Sequence, residues 1–228
     1  MRLLNVDNLE LEEFFGENIP PYAILSHTWQ EGEEVSYADL GTPYKATLKA
    51  GWKKIQYTCE QAKKDSPRYV WIDTCCIDKS SSAELSEAIN SMYAWYSDAK
   101  VCYVYMSDVN VEDIDATFPT SRWFTRGWTL QELLAPKSVI FYDKEWECLG
   151  GKRDGRLARL IIDITKIDRD VLEHPELIRK QSVACRMSWA SNRTTTRPED
   201  LSYSLMGIFV STSLSTHVMG YILTSNRV

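Results

Sequence analysis

The fold turns on "YVWIDTCCIDKSSSAELSEAINSMYAWYSDAKVCYVYM", residues 69–106. Its first part, "YVWIDTCCI" (69–77), is a short apolar run introduced by Ser66-Pro67, and it reads as a buried strand. Ser81 followed by Glu84 has capping-box spacing: the hydroxyl accepts from first-turn amides and the Glu reaches back. The helix so opened carries Leu85, Ile89, Met92 and Tyr96 at i, i+4, i+7 and i+11, a single apolar face. It ends near "SDAK", and "VCYVYM" (101–106) is the next strand.

The same alternation extends outward. Upstream lie "LLNV" (3–6) and "YAILSH" (22–27), the latter a buried strand behind Pro20-Pro21. Residues 44–64 show helical spacing through Leu48, Trp52, Ile55, Cys59 and Ala62. Downstream, an acidic loop precedes a helix over 121–135 that Pro136 stops. "SVIFYD" (138–143) is a further strand. Strands alternating with helices predict an α/β fold, a flavodoxin-like parallel sheet with flanking helices. Right-handed crossovers place the strand C-termini on one edge, where ligands bind. The residues leaving the strands there are Ser26-His27-Thr28-Trp29, Asp73-Thr74-Cys75, Ser107-Asp108 and Asp143. After residue 150 the pattern becomes helical, with Thr196 and Glu199 in capping-box spacing before Leu201, Leu205 and Ile208. One domain is expected over 1–209, α/β through about 145 and a C-terminal helical extension over about 150–209.

Composition narrows the function classes. The chain has 228 residues, 44% of them hydrophobic, with eight Trp and twelve Tyr, enough for a sizeable core. A net charge of −6 argues against a nucleic-acid surface. The acidic N-terminus does not read as a secretory signal, and no run approaches the ~20 apolar residues of a membrane span. Six cysteines without a C-x-x-C pair, beside only three histidines, predict no metal site. Free thiols and no signal favour a reducing, cytoplasmic location.

Individual motifs divide between chemistry and packing. "LGGKRDG" lacks P-loop spacing and does not directly follow a strand. Ser26 and His27 are neighbours in a strand and point to opposite faces, which argues against a nucleophile–base pair. Cys75 and Cys76 read as buried thiols. Arg193 and Arg197 suit an anion or the domain's own acidic loops. Glu132, in "RGWTLQELLAP" (126–136), shares a helix face with Trp128 while Leu130, Leu133 and Leu134 cover the other side. From pattern alone it is either an exposed charge or a carboxylate held against apolar walls for chemistry.

Four stretches, "YAILSHTW", the 69–106 segment, "SRWFTRGWTLQELLAP" and "VACRMSWASNRTTTRPEDLSYSLMGIF", together resemble the fungal heterokaryon-incompatibility (HET) domain, over roughly residues 1–209. The resemblance implies a cell-death effector that works by self-association or beside a receptor with nucleotide-binding and repeat domains. "GWTLQEL" also resembles the Glu-bearing helix of Toll/interleukin-receptor (TIR) domains, with Glu132 on the Glu and Thr129 where that pattern has Cys. This TIR-like resemblance implies NAD as substrate rather than cofactor, cleaved at the nicotinamide–ribose bond, with Glu132 catalytic. Breaking a glycosidic bond to a cationic leaving group needs no general acid, so one carboxylate suffices. The expected substrate-binding residues are Ser26, His27, Trp29, Asp73, Trp123, Arg126 and Trp128: aromatics for stacking, Arg126 for the pyrophosphate, Asp73 to orient its loop. The alternative is a non-enzymatic self-associating module in which helix 121–135 is a contact face. The segment 210–228 departs from the family pattern. Val210-Ser211 is what a retained splice donor would encode, so the tail reads as a splice or truncation product with weak order.

Overall fold

A computed structural model of the chain describes residues 1–209; the expectation for the 210–228 tail lies outside the described residues. Seven strands form one sheet: β1 (Arg2–Asn5), β2 (Leu11–Glu13), β3 (Tyr22–His27), β4 (Tyr69–Trp71), β5 (Val101–Tyr105), β6 (Val139–Tyr142) and β7 (Cys148–Gly151). Their spatial order is β2-β1-β4-β3-β5-β6-β7. The inner four, β4-β3-β5-β6, are mutually parallel, while β1, β2 and β7 add antiparallel edges. Numbered by sequence, the parallel strands run 2-1-3-4, the flavodoxin-like winding, with its switch point between β3 and β5. β3 is buried at every position, as a strand covered on both faces must be.

Ten helices complete the described part. They are α1 (Tyr37–Leu40), α2 (Pro43–Thr47), α3 (Trp52–Asp65), α4 (Ser82–Asp98), α5 (Ile114–Thr117), α6 (Thr129–Leu134), α7 (Gly155–Thr165), α8 (Arg169–Glu173), α9 (Val183–Ser188) and α10 (Pro198–Phe209). None is long and apolar enough to cross a membrane among the described residues. α10 packs against α4, where Gly207 permits an approach so close that a Cβ there would sit 2.2 Å from Tyr93.

Several boundaries differ from the sequence reading. The strand expected over 69–77 ends at Trp71, and Asp73–Cys75 leave as a turn with the Cys75 and Cys76 amides bonded to the Ile72 carbonyl. The apolar run continues because that turn is itself buried. Ser81 caps α4 through the Glu84 amide at 3.3 Å, but Glu84 turns its carboxylate to the Asp78 amide and to Arg2, tying β1 to the loop. The helix expected over 121–135 is a 3-10 turn (Arg122–Thr125), an extended Arg126, and then α6. The break follows from Gly127: its amide reaches the Thr194 carbonyl at 2.8 Å, and a Cβ there would lie 2.5 Å from Thr195. Thr196 lies two residues before α10 and accepts from Arg126 Nη1 at 3.4 Å. "LGGKRDG", read from sequence as not following a strand, begins inside one: Gly150 and Gly151 end β7.

Candidate functional site

The site lies outside the C-terminal ends of β3 and β5, where neighbouring crossovers diverge. Ser26 and His27 end β3 and project to opposite faces. On one face lies α6, packed between β3, α4, α8 and α10. All six of its residues are buried, so it has no solvent face on which a carboxylate could ride. Glu132 is 7% exposed.

Glu132 is held by a short relay. Ser26 Oγ donates to Glu132 Oε2 at 2.5 Å, and Trp123 Nε1 donates to Ser26 Oγ at 2.8 Å. Trp123 is wholly buried, edge-on to Phe124 and Phe141. Its turn is pinned by Asp108, which accepts from Ser121 Oγ at 2.7 Å and the Arg122 amide at 2.8 Å. Tyr96 from α4 donates its hydroxyl to the Leu25 carbonyl at 2.9 Å and helps hold the Glu132 carboxyl down. Burial pushes the Glu132 carboxyl up to about 8, against the Ser26 hydrogen bond; the charge of Asp73 adds to the rise, and Arg126 opposes it. The folded chain therefore holds Glu132 protonated at neutral pH.

Behind α6, Arg193 donates from Nη1 to the Arg126 carbonyl at 2.9 Å and to Thr129 Oγ1 at 2.7 Å. Burial lowers its guanidinium to about 10, with Glu132 pulling the other way. Lys152 Nζ caps the other end of α6, on the carbonyls of Leu133 (3.1 Å) and Pro136 (2.6 Å). The lysine of "LGGKRDG" is thus turned inward.

The other face of β3 carries a second network. His27 Nε2 lies 3.0 Å from Asp73 Oδ1, and His27 Nδ1 lies 3.1 Å from Lys54 Nζ. The ammonium only donates, so Nδ1 accepts and Nε2–H donates to Asp73. Lys54 also bonds Glu34 and the Thr28 carbonyl. Trp29 Nε1 donates to Asp73 Oδ2 at 2.9 Å. Burial raises the Asp73 carboxyl, but the His27 hydrogen bond, the Lys79 charge and the Trp29 indole outweigh it and hold Asp73 below the usual range. Two carboxyl groups that act on each other are thus pushed apart, Glu132 up and Asp73 down, which is how environments assign acid and base roles.

The structure thus gathers Ser26, Trp123 and Glu132 into one relay, and His27, Trp29 and Asp73 into another. Arg126 and Trp128 reach toward the C-terminal helical part, Arg126 to Thr196 and Trp128 to the Asp200 carboxylate. Trp123, buried and spent on Ser26, offers no open face for stacking. The sequence reading missed Tyr96, Lys54, Glu34 and Lys79: Tyr96 and Lys54 come from helices distant in the chain, Glu34 and Lys79 from the loops that leave β3 and β4. Asp143, also at a strand end, accepts from three amides of its own surroundings, Val111, Glu145 and Glu147. Among the described residues no group of His, Cys, Asp and Glu is placed to hold a metal ion.

The family model described as "Heterokaryon incompatibility protein (HET)" matches residues 22–117, which include Ser26, His27, Trp29 and Asp73. The chain is 47% identical over 222 residues to the Vegetative incompatibility protein HET-E-1 of Podospora anserina. That match covers 92% of this chain and 16% of the relative, so the chain spans about a sixth of that protein's length. No solved structure matches the chain.

Proposed function

The chain belongs to the heterokaryon-incompatibility family, and from that premise we propose that it is the death-effector module of an incompatibility protein, hydrolysing NAD at the nicotinamide–ribose bond once assembled. The observation that carries the catalytic reading is Glu132: a buried carboxyl at the switch-point edge, held by Ser26 Oγ at 2.5 Å and lifted to about 8. With a neutral hydroxyl as partner and no ion pair, this buried acid stays protonated, and a carboxyl whose titration is so displaced at a strand-end edge is a candidate functional group.

The chemistry follows from charge. NAD carries a positive pyridinium, and a cation beside Glu132 favours the ionised form. Glu132 thus gains its charge with the substrate, where it holds a ribose hydroxyl and stabilises the oxocarbenium-like state. The C1′–N bond breaks, and its electron pair neutralises the departing nicotinamide. Water forms the new C1′–O bond and releases its proton through Glu132 to solvent. Arg126 serves the pyrophosphate, Asp73 the cationic ring, and Trp123 acts through Ser26. Assembly is through self-association or a receptor partner in the cytoplasm.

The second reading, a non-enzymatic self-associating module, is favoured by the depth of Glu132 and by Tyr44 in α2 and Leu48 at its C-terminal cap, which are 75% and 68% exposed. Expression of the chain fused to a clustering domain in a heterologous host separates the two. The catalytic reading expects loss of cellular NAD and of viability, both abolished by Glu132→Gln. Viability loss with NAD unchanged supports the module.

A further inference from the structure

Trp29 is 39% exposed and leaves β3 at the edge where the site lies. An exposed indole at a loop normally swings freely. This one is fixed from behind by a chain of bonds running inward: Trp29 Nε1 to Asp73, Asp73 to His27, His27 to Lys54, Lys54 to Glu34 and the Thr28 carbonyl. The Lys54 and His27 side chains of that chain are buried. Over the open face of the ring sits a single cation, Lys79 Nζ, 3.6 Å from the centroid. Lys79 belongs to the turn between β4 and α4, held by Ser81 N to the Asp78 carbonyl at 3.2 Å.

An exposed cation–π pair is a weak contact and needs no such scaffold. A buried network that fixes both oxygens of one carboxylate and the plane of one indole is the construction of a preorganised recognition corner. An aromatic face beside an ionised carboxylate selects a cation, and a flat ring selects a flat one. We propose that the Trp29–Asp73 corner is a binding subsite for a planar organic cation of the N-alkylpyridinium class, and that Lys79 is its built-in occupant, displaced when the ligand stacks on Trp29. The inference rests on the NAD reading insofar as it assigns the pyridinium end of the substrate to this corner. Lys79 then sets a threshold for ligand entry, because the cation must compete with it.

The test uses 1-methylnicotinamide, which carries the pyridinium but no ribose bond to break, and neutral nicotinamide. Each is titrated by calorimetry into the full chain, Lys79→Ala and Trp29→Leu; both substitutions are at exposed positions and leave the core intact. The cation binds about three- to thirtyfold tighter to Lys79→Ala, the range of one cation–π contact. It loses measurable binding in Trp29→Leu, and nicotinamide binds Lys79→Ala and the unsubstituted chain alike. Unchanged or weaker cation binding in Lys79→Ala overturns the proposal, as does retention in Trp29→Leu, binding of neutral nicotinamide as tight as that of the cation, or no cation binding at all. Turnover plays no part in the readout, so cation binding without NAD cleavage retains the subsite and removes the catalytic reading, and the reverse result does the opposite.

Discussion

Replacing Glu132 by Gln converts a titrating carboxyl into a neutral group of the same shape, and its largest consequence is on stability against pH. In the folded chain the Glu132 carboxyl sits at about 8, raised from an ordinary value of 4.5. Between those values the folded state binds a proton that the unfolded state has released. Stability contributed by the protonated, hydrogen-bonded acid is therefore complete below pH 4.5 and is lost as pH rises toward 8. Each pH unit inside the window is worth up to about 1.4 kcal/mol, so from pH 5 to pH 7.5 the loss is about 3 kcal/mol. Glu132→Gln has no such slope, and every other titrating group is common to both proteins. Urea unfolding of the two at half-unit steps from pH 5 to 8 gives the difference directly. The variant gains on the parent steadily across the window, by about 3 kcal/mol between pH 5 and pH 7.5. Parallel stability curves would mean that Glu132 is ionised throughout, and the dry, protonated site described above would be wrong.

Ser26→Ala leaves Trp123 Nε1 without its acceptor and Glu132 without its donor; the cost is about 1–3 kcal/mol, and the Glu132 titration followed by carbon-13 NMR moves further up, because the Ser26 bond holds it down. Gly207→Ala places a Cβ 2.2 Å from Tyr93 Cβ and Cγ, atoms too near the backbone to yield, and lowers stability in thermal unfolding by about 2 kcal/mol despite the better helix former. Arg193→Met frees Thr129 and the Arg126 carbonyl, costs about 2 kcal/mol, and speeds hydrogen exchange at the Gly127 amide, which bridges to Thr194.

Strands buried on both faces were legible because they are unbroken apolar runs: "YAILSH", "VCYVYM" and "SVIFYD" fall on β3, β5 and β6 to within a residue. The edges were not. β2 is Leu-Glu-Glu and β7 is Cys-Leu-Gly-Gly, sequences with no strand pattern that pair only because a neighbour's free edge is present. The turn after β4 was hidden for the opposite reason, being as apolar as a strand. Glu132 shows the limit most clearly. Helical periodicity assigns one face to solvent, but α6 has none, being enclosed by four elements whose sequence positions run from 22 to 209. The same holds for Lys54 and Glu34, whose part in orienting His27 exists only once α3 and the loop before it are folded against β3.

Release of nicotinamide from NAD by the purified chain, tethered into clusters and followed by chromatography beside Glu132→Gln, tests the catalytic role of Glu132 most directly. The account predicts time-dependent release by the clustered chain and a loss of at least about a hundredfold in the variant, the scale of one electrostatic group at a developing charge. Release undiminished in Glu132→Gln, or none from the clustered parent, contradicts it.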